Sequence, residues 1–153
     1  MKKREAYEGY MGYALKEAQK AFEKDEVPVG AVVVLNDKII ARGHNTREST
    51  FDPTGHAEIV ALRRACQRLG SWRLTDTTVY VNIEPCIMCM GALLQARVLR
   101  LIFGAFDPKG GAAGSLFDLS CNSRLNHCIE VISGVQEEKS KELLQSFFKK
   151  LRG

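Results

Sequence analysis

Between Arg4 and Lys24 the apolar positions Tyr7, Met11, Ala14, Ala18 and Phe22 recur every three or four residues, which puts them on one face of a helix. The period then shortens. Val27 to Leu35 and Lys38 to Asn45 are β-branched runs joined by Asn36-Asp37, a pair that favours turns, and together they predict a hairpin. From Asp52, turn residues give way to Ile59, Leu62, Cys66 and Leu69 at helical spacing, predicting a second helix stopped at Gly70. "TTVYVNI" (Thr77–Ile83) reads as a strand, Ile87–Arg97 as a helix and "VLRLIFGA" (Val98–Ala105) as another strand. A strand, a helix of about ten residues and a strand make a βαβ unit, so the two strands are expected to be parallel neighbours. "GGAAGSLFDLS" (Gly110–Ser120) predicts a glycine-rich loop running into a short helical turn, "HCIEVIS" a short strand, and Gln136–Leu151 a final helix with a basic end.

A chain of 153 residues with 45% hydrophobic content suits one compact domain with a sizeable core, and no linker, repeat or low-complexity tract divides it. With 22 basic and 18 acidic residues the net charge is +4, a weak lean toward an anionic partner. No apolar run follows the basic start "MKKREAYEGY", and nowhere do about 18 consecutive apolar residues occur, so neither a signal peptide nor a membrane span is expected. A cytoplasmic protein is the expectation. Five cysteines are an odd count in a chain long enough to fold without staples, which favours thiols over a disulfide framework.

Two of those cysteines stand in "EPCIMC". Three positions apart, Cys86 and Cys89 lie within roughly 60° of each other on a helix and reach one ion together. Pro85 suits the first turn, and the positive end of a helix favours thiolate over thiol. A redox pair explains the spacing equally well until "HAE" is considered, which puts His56 and Glu58 at the start of the second helix. One imidazole and two thiolates are three zinc ligands, leaving a fourth tetrahedral position for water, and a nearby carboxylate that is not a ligand is what hydrolysis requires. Taken singly, His56 reads as a surface histidine, Glu58 as a first-turn acid and the cysteines as core filling. The combination is far more specific than its parts.

H-x-E followed about thirty residues later by P-C-x-x-C resembles the zinc-dependent nucleoside and nucleobase deaminases. "EVPVGAVVV", "HN" at His44-Asn45, "DPTGHAEI", "EPCIMCMGAL", "IFGAFD", "GGAAGSLFDL" and "LNH" are similar to one branch of them, the bacterial tRNA-specific adenosine deaminases. That resemblance implies a three-layer αβα sandwich of cytidine-deaminase type with a mixed five-stranded sheet, formed as one domain by residues 1–153. It implies one zinc ion per chain on His56, Cys86 and Cys89, and Glu58 carrying protons from water to adenine N1 and on to the departing ammonia. Asn45 would read the purine edge, Val29 and Ile83 would sandwich the base, and the Ala57 amide would support the developing oxyanion. The implied substrate is the wobble adenosine of a tRNA anticodon stem-loop. Asp107 is expected at the ribose 2′-OH, with further RNA contacts from Asn122, Arg124, Asn126 and His127 and from Phe147, Phe148, Lys149, Lys150 and Arg152. A homodimer whose neighbouring subunit helps shape the RNA site is also implied, with Met88, Met90, Leu93 and Leu94 serving either that interface or the core. Gly55 departs from the usual alanine while staying small. Cys121 and Cys128 lie outside the family pattern and, with Cys66, are expected as small free thiols. Two other readings stay open: a free-base deaminase acting on guanine or cytosine, and a non-catalytic zinc-stabilised RNA-binding module whose fourth ligand is His44 or Cys66.

Overall fold

Two faces of one sheet are covered by helices of different character, as near-continuous apolar strands require. The computed structural model describes residues 2–153. In chain order the elements are α1 (Lys2–Glu23), β1 (Gly30–Leu35), β2 (Lys38–His44), α2 (Ala57–Leu69), β3 (Thr78–Ile83), α3 (Ile87–Gln95), β4 (Arg100–Ala105), β5 (Glu130–Ile132) and α4 (Glu137–Arg152). The five strands run in the order β2-β1-β3-β4-β5, with β1 antiparallel to β2 and β3, and β3, β4 and β5 parallel. This is the mixed five-stranded αβα architecture expected from the sequence. No helix among the described residues is long and apolar enough to cross a membrane.

Alternation along each strand divides the core. Ala31, Val33, Val79, Val81, Leu101 and Phe103 face α2 and α3, where they meet Ala61, Leu62, Met90 and Leu93. Val32, Val34, Tyr80 and Ile102 point the other way, to Met11 and Ala14 of α1. On that second face α4 joins α1 through Phe147, whose ring lies edge-on to Phe22 at 5.8 Å. Each fully buried Val, Leu or Phe contributes about 1.5–3 kcal/mol of hydrophobic stabilisation, so both faces are needed to hold the sheet.

Local signals explain most boundaries. Asn36 and Asp37 both take left-handed backbone, φ 51° and 63°, the geometry of a two-residue turn that matches strand twist. α2 ends where Gly70 adopts φ 65° and returns its N–H to the Cys66 carbonyl. β1 begins later than its apolar run, at Gly30. Upstream, the Asn82 side chain claims the backbone: its Oδ1 accepts the Gly30 N–H at 2.8 Å and its Nδ2 donates to the Pro28 carbonyl at 2.9 Å.

Two expectations are corrected. The Gly110–Ser120 segment forms no helical turn; Leu116 and Phe117 both donate to the Gly111 carbonyl, and Ala113 makes an isolated bridge with Asp118. Its amides are drawn instead to the buried carboxylate of Glu84. Cys121 and Cys128 are not free thiols: they are joined in a disulfide that closes the loop between β4 and β5.

Gly30 is the tightest crossing of sheet and helix, because a Cβ there would fall on the Ala14 carbonyl oxygen and the Ala18 amide nitrogen of α1. Gly30→Ala is expected to lower unfolding free energy by about 1–3 kcal/mol, the usual cost of overpacking, read from urea denaturation. A variant as stable as the parent would show that α1 moves away without cost.

Candidate active site

Two helix N-termini converge at the same end of the sheet. His56 is the residue before α2 and Cys86 the residue before α3; both are extended, at φ −75° and −77°, and neither side chain caps its own helix. Their carbonyls instead close the first helical turns, accepting from Val60 at 3.0 Å and Met90 at 2.9 Å. A position usually given to a capping oxygen therefore presents a nitrogen and a sulfur to each other.

Cys86 Sγ and Cys89 Sγ each lie 3.6 Å from His56 Nδ1. Among the described residues these three form a metal-capable cluster, with all ligand atoms within 4.8 Å of one another. Bonds of about 2.0–2.1 Å to nitrogen and 2.3 Å to sulfur at a tetrahedral angle put the donors about 3.6 Å apart, so the residues fit a tetrahedral N/S-ligated ion. The Cys89 hydrogen bond, helped by His56, outweighs burial and lowers the Cys86 thiol to about 4, while the hydrogen bond to Cys86 together with burial raises Cys89. A cation on His56, Cys86 and Cys89 would hold both sulfurs as thiolates.

Glu58 is buried at the first turn of α2, 3% exposed. Burial pushes its carboxyl up to about 7, with the Cys86 charge adding to the rise and His56 opposing it. A carboxyl tuned close to neutrality is suited to both accepting and releasing a proton.

A pocket of about 210 Å³ opens over the cluster, and it brings together most of the expected site: Val29, Asn45, His56, Ala57, Glu58, Ile83, Cys86 and Asp107 all line it. Asn45 is held by its own Nδ2 on the Val27 carbonyl at 3.3 Å and by the Arg47 N–H on its Oδ1 at 3.1 Å. Asp107 accepts the N–H groups of Lys109 and Gly110 through Oδ1, at 3.1 and 3.2 Å. Phe148 lies in an adjoining groove that shares Val27, Asn45 and Arg47 with the pocket. Lys150 pairs with Asp25 at 2.9 Å, beside the same groove.

Asn126 is not at the pocket. It shares a separate cleft with Ile87, Gly91, Leu94, Arg124 and His127, and the His127 ring contacts the Val98 carbonyl at 2.7 Å. Met90, Leu93 and Leu94 belong to the core. Neither proposed fourth ligand is available: His44 lies between Glu17, 3.4 Å, and Lys24, 3.3 Å, while Cys66 faces the Trp72 carbonyl.

Sequence reasoning missed Val27, Arg47 and Glu84, which also line the pocket. It also missed Glu26, whose carboxylate accepts the N–H groups of Glu48 and Ser49 at 3.0 and 2.7 Å and so holds the loop ahead of His56. The only signal for Glu84 was its place before Pro85-Cys86.

Fold and site together define a deaminase whose His/Cys cluster is compatible with a metal ion. The profile of the MafB19-like deaminases matches residues 5–152, and the chain belongs to that family. It is 52% identical over 143 residues to the tRNA-specific adenosine deaminase of Bacillus subtilis (strain 168), covering 94% of this chain and 89% of that one. The tRNA-specific adenosine deaminase of Aquifex aeolicus (strain VF5) is 46% identical over 145 residues, 95% of each chain. Among solved structures, one from work on A-to-I editing by tRNA:A34 deaminases at the wobble position superposes with a TM-score of 0.86 at 46% identity, covering 89% of this chain and 99% of that one. The guanine deaminase of Nitrosomonas europaea superposes with a TM-score of 0.77 at 25% identity, covering 92% and 83%.

Cys86→Ser and Cys89→Ser are each expected to lose metal and thermal stability together, because the ion ties α2 to α3. Cys66→Ser and the paired Cys121→Ser, Cys128→Ser change are expected to keep metal content, measured by atomic emission. Metal loss from either of the latter would mean the ligand set is wrong.

Proposed function

We propose that this protein is a zinc-dependent hydrolase that converts the wobble adenosine of a tRNA anticodon to inosine. The observation that carries the reading is a cluster with three ligands and, among the described residues, no fourth, set beside a buried carboxyl in a pocket of single-base size. Zinc on His56, Cys86 and Cys89 would supply Lewis-acid activation of a water molecule.

The chain's own residues do the rest. Glu58 takes a proton from the attacking water and delivers it to adenine N1, which draws electron density from C6. The water oxygen adds at C6 as a hydroxyl, Glu58 takes the hydroxyl proton and passes it to the exocyclic nitrogen, and the C6–N6 bond breaks to leave a C6 carbonyl and release ammonia. The Ala57 N–H, in the first turn of α2, faces the charge that develops on that oxygen. Asn45, with its amide fixed by Val27 and Arg47, hydrogen-bonds the purine edge, and Val29 and Ile83 press on the two faces of the ring. Asp107 accepts from the ribose 2′-OH, and Phe148 stacks on a neighbouring base in the adjoining groove.

An anticodon loop suits such a pocket because its bases are already unpaired and extrude cheaply. The same reading makes residues 1–153 one catalytic domain, acting in the cytoplasm as a homodimer. Exposed Ile87 and Leu125, around the cleft that holds Asn126, form its contact surface. A free-base deaminase gives Phe148 and the basic end of α4 no task, and a closed zinc module gives Glu58 none.

The test is to incubate the purified protein with an anticodon stem-loop and, separately, with guanine and cytosine, and to sequence the RNA for inosine. Inosine at the wobble position without turnover of free bases is expected. Glu58→Ala should keep its metal and lose about 10²–10⁴ in rate. Release of ammonia from free bases, with the stem-loop untouched, would replace this reading with a nucleobase deaminase.

A further inference from the structure

Glu84 is buried, 3% exposed, lines the pocket, and has no part in the chemistry above. Its carboxylate is fully engaged. Oε1 accepts the Asp107 N–H at 2.9 Å and the Ser115 hydroxyl, while Oε2 accepts the N–H groups of Ala113 and Ser115, each at 3.0 Å. Gly111 leaves the room this requires, since a Cβ there would fall on the carboxyl group. The backbone closes the same seam: Glu84 donates to the Ala105 carbonyl and Ala112 to the Pro85 carbonyl, both at 2.8 Å.

Two segments distant in sequence thereby become one rigid unit. Glu84 stands two residues before Cys86, and the loop it organises begins at Asp107. Within that loop the Asp107 carboxylate is set by the N–H groups of Lys109 and Gly110. A carboxylate is a costly way to close a loop, because its desolvation must be offset by several well-aligned donors. What it supplies beyond closure is a fixed distance between the cluster and Asp107.

We infer that Glu84 is a positioning residue, which locks the Asp107 loop to the Cys86 turn so that Asp107 meets the ribose only when the base lies over the cluster. This rests on the proposed reading of Asp107 as the ribose acceptor and names a second residue on which RNA preference depends. Glu84 itself touches neither base nor ribose.

The experiment compares wild type, Glu84→Gln, Asp107→Asn, the double variant and Ser115→Ala on an RNA stem-loop and its DNA counterpart, with zinc content measured for each. Glutamine replaces one acceptor oxygen with a donor, and loss of a charge-assisted hydrogen bond predicts a KM for RNA raised about tenfold, with kcat within about threefold. Zinc stays at one per chain. The RNA-to-DNA ratio of kcat/KM falls to that of Asp107→Asn, and the double variant falls no further, since both changes disable one contact. Ser115→Ala removes a single donor and moves the same ratio less, which decides the matter should Glu84→Gln fail to fold. An unchanged ratio in Glu84→Gln, independent losses in the double variant, or a loss confined to stability and zinc content would overturn the inference. Wild type inactive on RNA would instead overturn the substrate reading beneath it.

Discussion

The meeting of two helix N-termini across one imidazole and two sulfurs is the constraint on which the rest of the structure depends. α2 and α3 lie on the same face of the sheet, and their first residues, His56 and Cys86, leave their own helices uncapped in order to face each other. The parallel β3-α3-β4 unit fixes where α3 starts, and the loop held by Glu26 fixes where α2 starts. An ion held by these donors would tie the two helices together.

Three buried carboxyls surround this centre, and their environments separate their roles. Burial alone would raise all three. At Glu26 the amides of Glu48 and Ser49 outweigh it, and at Glu84 the donors of Ser115, Asp107 and Ala113 do the same, so both pKa values fall below the ordinary carboxyl range. Such groups remain ionised and hold loops in place. At Glu58 burial outweighs the backbone hydrogen bond and the charge of His56, and pushes the carboxyl up to about 7. Two of these carboxylates hold loops in place, and the third is the one the proposed reaction would use to move a proton.

Much of this was legible in the sequence because it depends on local pattern. The stripe of α1, the Asn36-Asp37 turn, the Gly70 stop and the βαβ spacing all appear where periodicity and turn chemistry put them. His56, Cys86, Cys89 and Glu58 were readable as a set, since helix starts are the one place where short motifs map onto geometry. Contacts between distant segments were not. Asn82 reaches Gly30 across 52 positions, and Glu84 reaches Ser115 across 31. Nothing in the neighbours of either residue announces that partner. In place of the helical turn expected after Gly110 stands a loop whose Ala113 and Ser115 amides point to Glu84. The Cys121–Cys128 bond and the displacement of Asn126 from the pocket likewise follow from how the β4–β5 loop folds back, not from its composition.

The central claim is that three protein atoms, and no fourth, hold the ion. X-ray absorption at the zinc edge of the loaded protein reports this directly through the number and kind of scatterers around the metal. One imidazole nitrogen and two sulfurs are predicted, at about 2.0–2.1 and 2.3 Å, with a light atom from solvent completing the tetrahedron. A third sulfur or a second imidazole would close the site and contradict the account.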